Sequence, residues 1–463
     1  MVSPAMSIKS LIKNGEGASV EFKADIPPDC KKYIKTVIAF SNTSGGTIIF
    51  GVDDNSVICG LPDKDITRKR DSISDAISKV CVPVPDYDTE IVTVDNKSLI
   101  IVKVYPGPDR PYHLASESMK NGTYVRIDGI SKLADAAALK ELQLEGRKDS
   151  FDAKVNFNTN VTEESVNKIC SDLSKIAGMN ITAQNLINEK VIIKKGDGYA
   201  PTNAFALLQG GVFTFTEVRC ALFKGVEKNL DKTMFLDRRE CIGPIYQQID
   251  DAYAFVLKNI RLESYYNGGI ARDDEYEIPH DVIREVITNA ILHRSYIRSN
   301  MPTYIAIYDD RIEVISPGKL YGGMTVKQML EGKTERRNPV IGRIFALAHI
   351  SEGWGRGVKG IITECTECGL KTPLFEEWGE DFRVTLYRKS LFDERITVKD
   401  NGLLGTELAV YNAFASDPEM SMAKVAESLN ISLATVKRCV SKLKERDRLV
   451  RKGGKGQGIW IVK

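Results

Sequence analysis

Two groups of polar side chains in this 463-residue sequence have types and spacings that could do chemistry. Near the start, Glu16, Glu21 and the pair Asp53-Asp54 stand on or beside short apolar runs. Carboxylates converging from adjacent segment ends suit a hard divalent cation such as Mg²⁺ or Mn²⁺, and such an ion can stabilise a phosphodiester transition state. Spacing alone admits a plainer arrangement, in which Glu21 pairs with Lys23 and Asp53-Asp54 forms a turn. In the middle of the chain, Glu285 and Asn289 lie four apart in a helical run, which sets them one above the other on one face. A carboxylate able to polarise water beside an amide oxygen able to hold Mg²⁺ suits nucleotide-phosphate chemistry, although a merely polar helix face has the same pattern. Further on, Glu352-Gly353-Trp354-Gly355-Arg356-Gly357 runs into a helical stretch, Val358–Cys368. Glycine amides opening a helix make an anion site, because free N–H groups point outward and the helix dipole favours negative charge.

The elements that must position these residues follow from apolar periodicity and turn chemistry. The first 145 or so residues read as an α+β unit: a strand at Ser19–Ala24, a helix at Lys31–Phe40, a strand at Thr47–Val52 after the turn Asn42–Gly46, strands at Ser98–Tyr105 and Gly122–Ile127, and a helix at Ala134–Leu144. Period-two alternation sends Glu21 and Lys23 to one face of the first strand. The polar run Gly146–Ser150 is the first linker. Beyond it the pattern is mixed, with helices near Glu163–Ala177, Gly243–Asn259 and His280–His293, and strands near Tyr304–Tyr308, Arg311–Ser316 and Phe382–Tyr387. A second boundary falls at Lys399–Gly402, where Asn-Gly signals a turn. The fold class is therefore α+β and multidomain, divided at 1–147, 148–398 and 399–463.

Composition narrows the function. At 43% hydrophobic and 27% charged residues the chain has the profile of an ordinary globular protein, which excludes disorder over most of its length. No run approaches the roughly 18 apolar residues of a membrane span, and Met1–Ser10 has no apolar core of signal-peptide length. Nine cysteines form no dense, even framework, so reduced thiols and a cytoplasmic location are expected. The net charge of +2 hides an asymmetry: from Met420 to Lys463 there are eleven Lys and Arg against three Asp and Glu. A basic patch of that density is the footprint of polyanion binding.

The same tail has helix-turn-helix logic. Met420–Leu429 suits a helix, Asn430-Ile431 a turn, and Ser432 an N-cap opening a helix in which Val436, Val440 and Leu443 recur at helical spacing. Its other face carries Lys437, Arg438, Lys442 and Lys444. Arg448–Arg451 and Ile459–Val462 flank a basic, glycine-rich turn and make a wing. From Thr406 to the end the chain resembles a winged helix, in which Lys437, Arg438 and Lys442 would contact duplex DNA. Use of the same fold for protein contacts is the alternative.

Two further resemblances rest on ordered motifs. Glu16-x4-Glu21-Phe22-Lys23, Ala39–Thr43 followed by Gly45-Gly46, Gly51–Asp54, Arg110-Pro111-Tyr112 and Tyr124-Val125-Arg126 resemble the Schlafen AlbA-type domain over about residues 10–145. The resemblance implies a nucleic-acid-associated domain of the kind found in prokaryotic transcriptional regulators. In Schlafen nucleases three acidic residues carry metal-dependent RNA cleavage; the matching positions are Glu16, Glu21 and Asp54, with Lys23, Arg110 and Arg126 as phosphate contacts. The block 150–390 resembles the C-terminal region of RecG-related proteins, whose core looks like the GHKL ATPase α/β sandwich. Arg284–Arg294 with Tyr296, Ser316-Pro317-Gly318, Arg337-Asn338-Pro339 and Gly353–Gly357 carry that likeness. It implies ATP as ligand, Glu285 as base, Asn289 as Mg²⁺ ligand, and Gly318, Gly353, Gly355 and Gly357 around the nucleotide. The chain departs from that pattern where Ser316 stands in the neighbourhood of the aspartate that reads adenine.

Three motifs lead nowhere. Gly332-Lys333-Thr334 lacks the upstream glycine of a phosphate loop, since Lys327 stands five before Gly332, so no P-loop helicase motor is present. Gly355-x-Gly357-x-x-Gly360 follows helix and loop where a dinucleotide fingerprint needs a strand. Cys365-x-x-Cys368 has no second Cys or His pair, and His113, His280, His293 and His349 are scattered. The reading is a cytoplasmic DNA-binding transcriptional regulator with a central ATP-binding domain, acting as a homo-oligomer without membrane contact. Its alternatives are a divalent-metal-dependent endoribonuclease cleaving structured RNA such as tRNA, and an adaptor that binds proteins.

Overall fold

The computed structural model describes the chain except residues 1–3, 63, 197, 212, 214–215, 228–234, 266–272, 352–356, 390–405, 419, 430, 447, 453–458 and 463. It divides into two compact units, Met1–Arg388 and Lys389–Lys463.

The first unit begins with helix α1 (Pro4–Asn14), strand β1 (Val20–Lys23), helix α2 (Lys31–Asn42), strand β2 (Gly46–Phe50), helix α3 (Ile66–Val80) and strands β3 (Tyr87–Val94) and β4 (Lys97–Val104). The sheet order is β1-β2-β4-β3, with β1 parallel to β2 and the other pairs antiparallel. Both faces are covered, so the inner strands read as continuous apolar runs. Ile48, Phe50, Ile100 and Val102 pack on Ile34, Val37 and Ile38 of α2 and on Ile73 and Ile77 of α3. Phe22, Ile49, Leu99 and Ile101 pack on Ile8 and Ile12 of α1. A hairpin of β5 (Tyr124–Ile127) and β6 (Ile130–Leu133) turns through Asp128-Gly129, both left-handed, which matches the strand twist of a two-residue turn. Asn42 at the end of α2 donates to the Tyr112 and Tyr124 carbonyls at 2.8 and 2.9 Å and ties the hairpin down. Helix α4 (Ala136–Gly146) follows, capped by Asp135, which accepts from the Ala138 amide. The polar run read as a linker is packed at its two ends, with Arg147 and Lys148 exposed between them: Ser150 is buried, and a Cβ on Gly146 would meet the Arg110 carbonyl at 1.8 Å.

The same unit continues with helix α5 (Glu163–Ala177), strands β7 (Val218–Leu222) and β8 (Asp237–Cys241), helices α6 (Ile245–Asn259) and α7 (His280–Leu292), strands β9 (Thr303–Ile307) and β10 (Arg311–Pro317), helices α8 (Val326–Glu331), α9 (Pro339–Leu347) and α10 (Gly357–Glu367), and strands β11 (Leu374–Trp378) and β12 (Asp381–Tyr387). The sheet runs β8-β7-β9-β10-β12-β11, antiparallel except for the parallel β7–β9 pair. Helices α6, α7, α9 and α10 bury their apolar faces in one core with this sheet. Alternation along β10 turns Val314 and Ser316 to one face, opposite Val384 and Phe382 of β12 in register.

The second unit holds helices α11 (Thr406–Ser416), α12 (Met422–Ser428) and α13 (Leu433–Glu445), with antiparallel strands β13 (Leu449–Lys452) and β14 (Ile459–Val462). Ser421 and Ser432 cap the second and third helices by accepting from the Lys424 and Thr435 amides. Val410, Phe414, Val425, Val436, Val440, Leu443 and Trp460 form its core. Asn430 and the tip of the wing lie outside the described residues. Among the described residues no helix is long and apolar enough to cross a membrane, and all nine cysteines are free thiols.

Candidate functional site

A cavity of about 510 Å³ opens between α7 and the inner face of β10 and β12. Its volume is in the range of small-molecule sites. On one wall, Glu285 and Asn289 project one turn apart, and the Asn289 side-chain N–H donates to Glu285 Oε1 at 2.9 Å. On the facing wall stand Val314, Ser316, Phe382 and Val384, an apolar surface with one hydroxyl. Gly318 and Gly357 border the same space, so four of the residues singled out for nucleotide binding are brought together. Gly353 and Gly355 fall outside the described residues.

Ser316 is buried, and its hydroxyl donates to the Ala290 carbonyl of α7 at 2.6 Å. With its proton committed, Ser316 meets a ligand only as an acceptor. Gly318 has φ +98°, and a Cβ there would meet Arg337 Nη1 at 2.1 Å, so the position is closed to side chains. His293, the residue after α7, lines the cavity and is exposed there. Desolvation, with the cations Arg337 and Arg336 beside it, pushes its pKa down from 6.5 to about 4. Its neighbours in the His293-Arg294-x-Tyr296 and Arg337-Asn338-Pro339 runs are supports: Asn338 donates to the Leu292 and Arg294 carbonyls at 2.8 and 2.9 Å, and buried Arg294 donates to the Met301 carbonyl at 2.7 Å.

Sequence reasoning missed the cations of this cavity. Lys319, Lys333, Arg336 and Lys359 line it, against the two carboxylates Glu285 and Glu335 among the described residues. Lys333 belongs to the discarded Gly332-Lys333-Thr334 run; it sits here without a phosphate loop, in the turn after α8. The signal for Lys319, Lys333 and Arg336 was the basic excess of residues 319–336, between two of the matched motifs; Lys359, beyond the last motif, had none.

The N-terminal acids are engaged separately. Glu16 Oε1 accepts from the Phe22 amide at 2.6 Å. Glu21 Oε1 takes the Lys23 ammonium at 2.6 Å, and its Oε2 takes Arg126 Nη2 at 2.8 Å. Asp53 accepts from the Asn55 and Val57 amides at 3.0 and 2.8 Å, which makes the turn, and Asp54 is exposed beside it. Among the described residues no group of three His, Cys, Asp or Glu is placed to hold a metal ion, so Glu16, Glu21 and Asp54 are not gathered as a metal triad.

Arg110 and Arg126, expected as phosphate contacts, are 7% and 4% exposed. Arg110 bonds Glu145 and the Thr43 carbonyl; Arg126 reaches the Gly17 carbonyl at 2.9 Å and Ser131 Oγ at 3.1 Å and stacks over Phe40. Both are cross-links of the fold, and burial corrects the expectation. Lys23 is held by Glu21, with its side chain 24% exposed. Cys365 is buried, its thiol pushed up to about 12 chiefly by desolvation, while Cys368 is exposed.

On α13, Lys437 and Arg438 are exposed. Lys442 differs, because it donates to Glu407 of α11 at 2.8 Å, with Arg446 on the other carboxylate oxygen at 3.2 Å. Trp460 of β14 is buried beneath Lys444 and Arg451, both over its ring.

Three family models match the chain, in order: "Schlafen, AlbA_2" over residues 16–135, "Putative ATP-dependent DNA helicase recG C-terminal" over 301–386, and "Winged helix-turn-helix DNA-binding" over 403–449. The second match begins after Glu285 and Asn289. Among solved structures, the DIP2311 protein of Corynebacterium diphtheriae is similar at 17% identity, covering 96% of this chain and 92% of that one, with a TM-score of 0.42. The N-terminal domain of a "Putative ATP-dependent DNA Helicase RecG-related Protein" of Nitrosomonas europaea is similar at 24% identity over 29% of this chain and 95% of that one, with a TM-score of 0.22. The domain matches support a nucleic-acid-binding protein.

Proposed function

We propose that this protein is a transcriptional regulator that binds duplex DNA through its winged helix and a nucleoside triphosphate in its central cavity. The observation that carries the reading is the cavity's division of labour: a carboxylate–amide pair on one wall, an apolar face with a hydroxyl on the other, and, among the described residues, four cations against two carboxylates around it. That excess of two positive charges suits a magnesium-bound triphosphate, whose own net charge is about −2. One N–H of the Asn289 side-chain amide goes to Glu285, and its oxygen is a hard ligand of the kind that Mg²⁺ takes. Gly357 and the start of α10 suit the phosphates, and Val314, Phe382 and Val384 suit a flat base. Because Ser316 offers an acceptor and no carboxylate, the reading extends to binding and stops short of turnover.

At the other end, Lys437 and Arg438 on a Ser432-capped helix supply the groove-facing cations. A DNA-binding unit of this kind acts most specifically as a dimer on two half-sites.

One experiment separates the classes. The full chain is incubated with duplex DNA and with structured RNA, in Mn²⁺ or in EDTA, across a salt series. Retention of DNA that falls steeply with salt, with RNA intact, supports the regulator. RNA cleavage that needs Mn²⁺ and is lost in a Glu21→Ala/Asp54→Ala double variant would overturn it in favour of the ribonuclease. Fluorescent ATP binding that requires Mg²⁺ and is lost in Asn289→Ala tests the central site; equal binding in EDTA would sink the assignment of Asn289.

A further inference from the structure

The segment that carries Gly318 has two sides. Lys319 and Leu320 line the central cavity and also a second one, of about 380 Å³, walled on its far side by residues of the N-terminal region. This two-residue stretch is therefore a partition between them.

The partition and the residues that flank it are tied to both sides. The Gly318 amide is held by the buried carboxylate of Asp381. Arg337 donates to the Lys319 carbonyl at 2.6 Å and the His293 carbonyl at 3.3 Å, and its guanidinium lies 3.9 Å from Glu141 on α4. Ser295, next in the loop after α7, also bonds Glu141. The Lys319 ammonium donates to the Arg126 carbonyl at 3.2 Å and faces Glu377 at 3.6 Å, while Glu377 also accepts from the Leu320 amide. Arg126 is the residue whose guanidinium holds Glu21 on β1. At the segment's end Gly323 is seated so closely that a Cβ would meet the Thr43 carbonyl and Arg110 Nη2, both at 2.5 Å.

We infer that occupancy of the central cavity is transmitted to β1 and the β5–β6 hairpin through residues 318–323, with Arg337 and Lys319 as the positioning residues. The inference rests on the nucleotide reading of the cavity. Its physical basis is the shared bonding: a wall held to Arg337 on one side and to the Arg126 carbonyl and Glu377 on the other cannot shift toward a ligand without pulling on those partners. A ligand that prefers one position of the wall then biases the N-terminal region, and by linkage a polyanion bound there biases nucleotide affinity by the same factor.

The test is hydrogen exchange on the full chain with and without saturating MgATP, with Mg²⁺ alone as control. Peptides over residues 280–292 report the cavity; peptides over 16–23 and 124–133 report the N-terminal region. The expected result is slower exchange in the first set by roughly fivefold or more, in the usual range of coupled sites, together with a clear change in the second. A Glu141→Gln/Glu377→Gln variant, altered only on the far side of the partition, should keep the response at 280–292 and lose at least half of that at 16–23 and 124–133. A wild-type response confined to the central peptides overturns the coupling and leaves the nucleotide reading standing. So does an undiminished N-terminal response in the variant. No response at 280–292 overturns the nucleotide reading, and the inference falls with it.

Discussion

Arg126 and Glu21 meet at 2.8 Å with side chains only 3% and 16% exposed, which makes a carboxylate of the sequence-level metal triad one half of a buried ion pair. The guanidinium also satisfies the Gly17 and Val20 carbonyls, so it closes the loop before β1. Removing it leaves half-buried Glu21 with Lys23 as its remaining cation and takes the donor from the Gly17 and Val20 carbonyls, a loss worth about 1–3 kcal/mol. Arg126→Met should lower the unfolding midpoint accordingly in urea titrations followed by circular dichroism. A loss below about 1 kcal/mol, the usual value of an exposed pair, would mean that Arg126 is free to serve as a phosphate contact after all.

Asp152 is a second buried acid whose role is structural. It is fully buried, accepts from Ser150 Oγ at 2.6 Å and from the Ile341 amide at 2.9 Å, and so caps the first turn of α9. Desolvation raises its pKa in the folded protein, opposed by those hydrogen bonds. Asp152→Ala leaves buried donors unpaired and should cost about 1–3 kcal/mol; Asp152→Asn, which keeps one acceptor oxygen, should cost less. Equal stability of wild type and the alanine variant in the same titration would show that the cap adds nothing to stability.

How much of this was legible in the sequence depends on range. The Glu21–Lys23 pair follows from strand alternation two residues apart, and the Glu285–Asn289 pair from one helical turn; both are where local periodicity puts them. The Ser432 cap and the apolar stripe of α13 are local in the same sense. The partners that decide what Glu21 and Arg110 do lie 105 and 35 residues away in sequence, at Arg126 and Glu145, and no spacing rule reaches them. Basic residues near a supposed phosphate site read as phosphate ligands until burial shows their donors already used. The cavity cations Lys333 and Lys359 come from a turn and a helix 26 residues apart in sequence that meet only in the folded chain, where a Cβ on Gly332 would lie 3.5 Å from Lys359 Nζ.

His293 supplies a pH dependence with a definite sign. Its folded-state pKa of about 4 lies below the 6.5 of an unfolded chain, so between those values the unfolded state binds the extra proton. Stability is then lost as pH falls from about 6.5 toward 4 and is unaffected by this group above about 7. Melting temperatures of wild type and His293→Asn, compared from pH 7.5 to 4.5, should diverge in the variant's favour on the acid side. Parallel curves would show that the ring is not held neutral.

The winged helix separates two kinds of lysine. Lys437 and Arg438 are exposed on α13, whereas Lys442 is drawn across to Glu407, whose carboxyl is lowered chiefly by that hydrogen bond. Each cation that neutralises a phosphate adds about one unit to the slope of binding against salt, and its removal takes that unit away. Lys437→Ala and Arg438→Ala should therefore weaken duplex binding and flatten its plot against salt concentration. Lys442→Ala should leave the slope nearly unchanged, because the ion pair already occupies that ammonium, and Glu407→Gln should steepen it by releasing Lys442 and Arg446 toward the polyanion. Fluorescence anisotropy on one duplex across a salt series reads all four. Equal flattening by the Lys437 and Lys442 substitutions would mean that the pair with Glu407 opens on binding and that the whole basic face of α13 meets DNA.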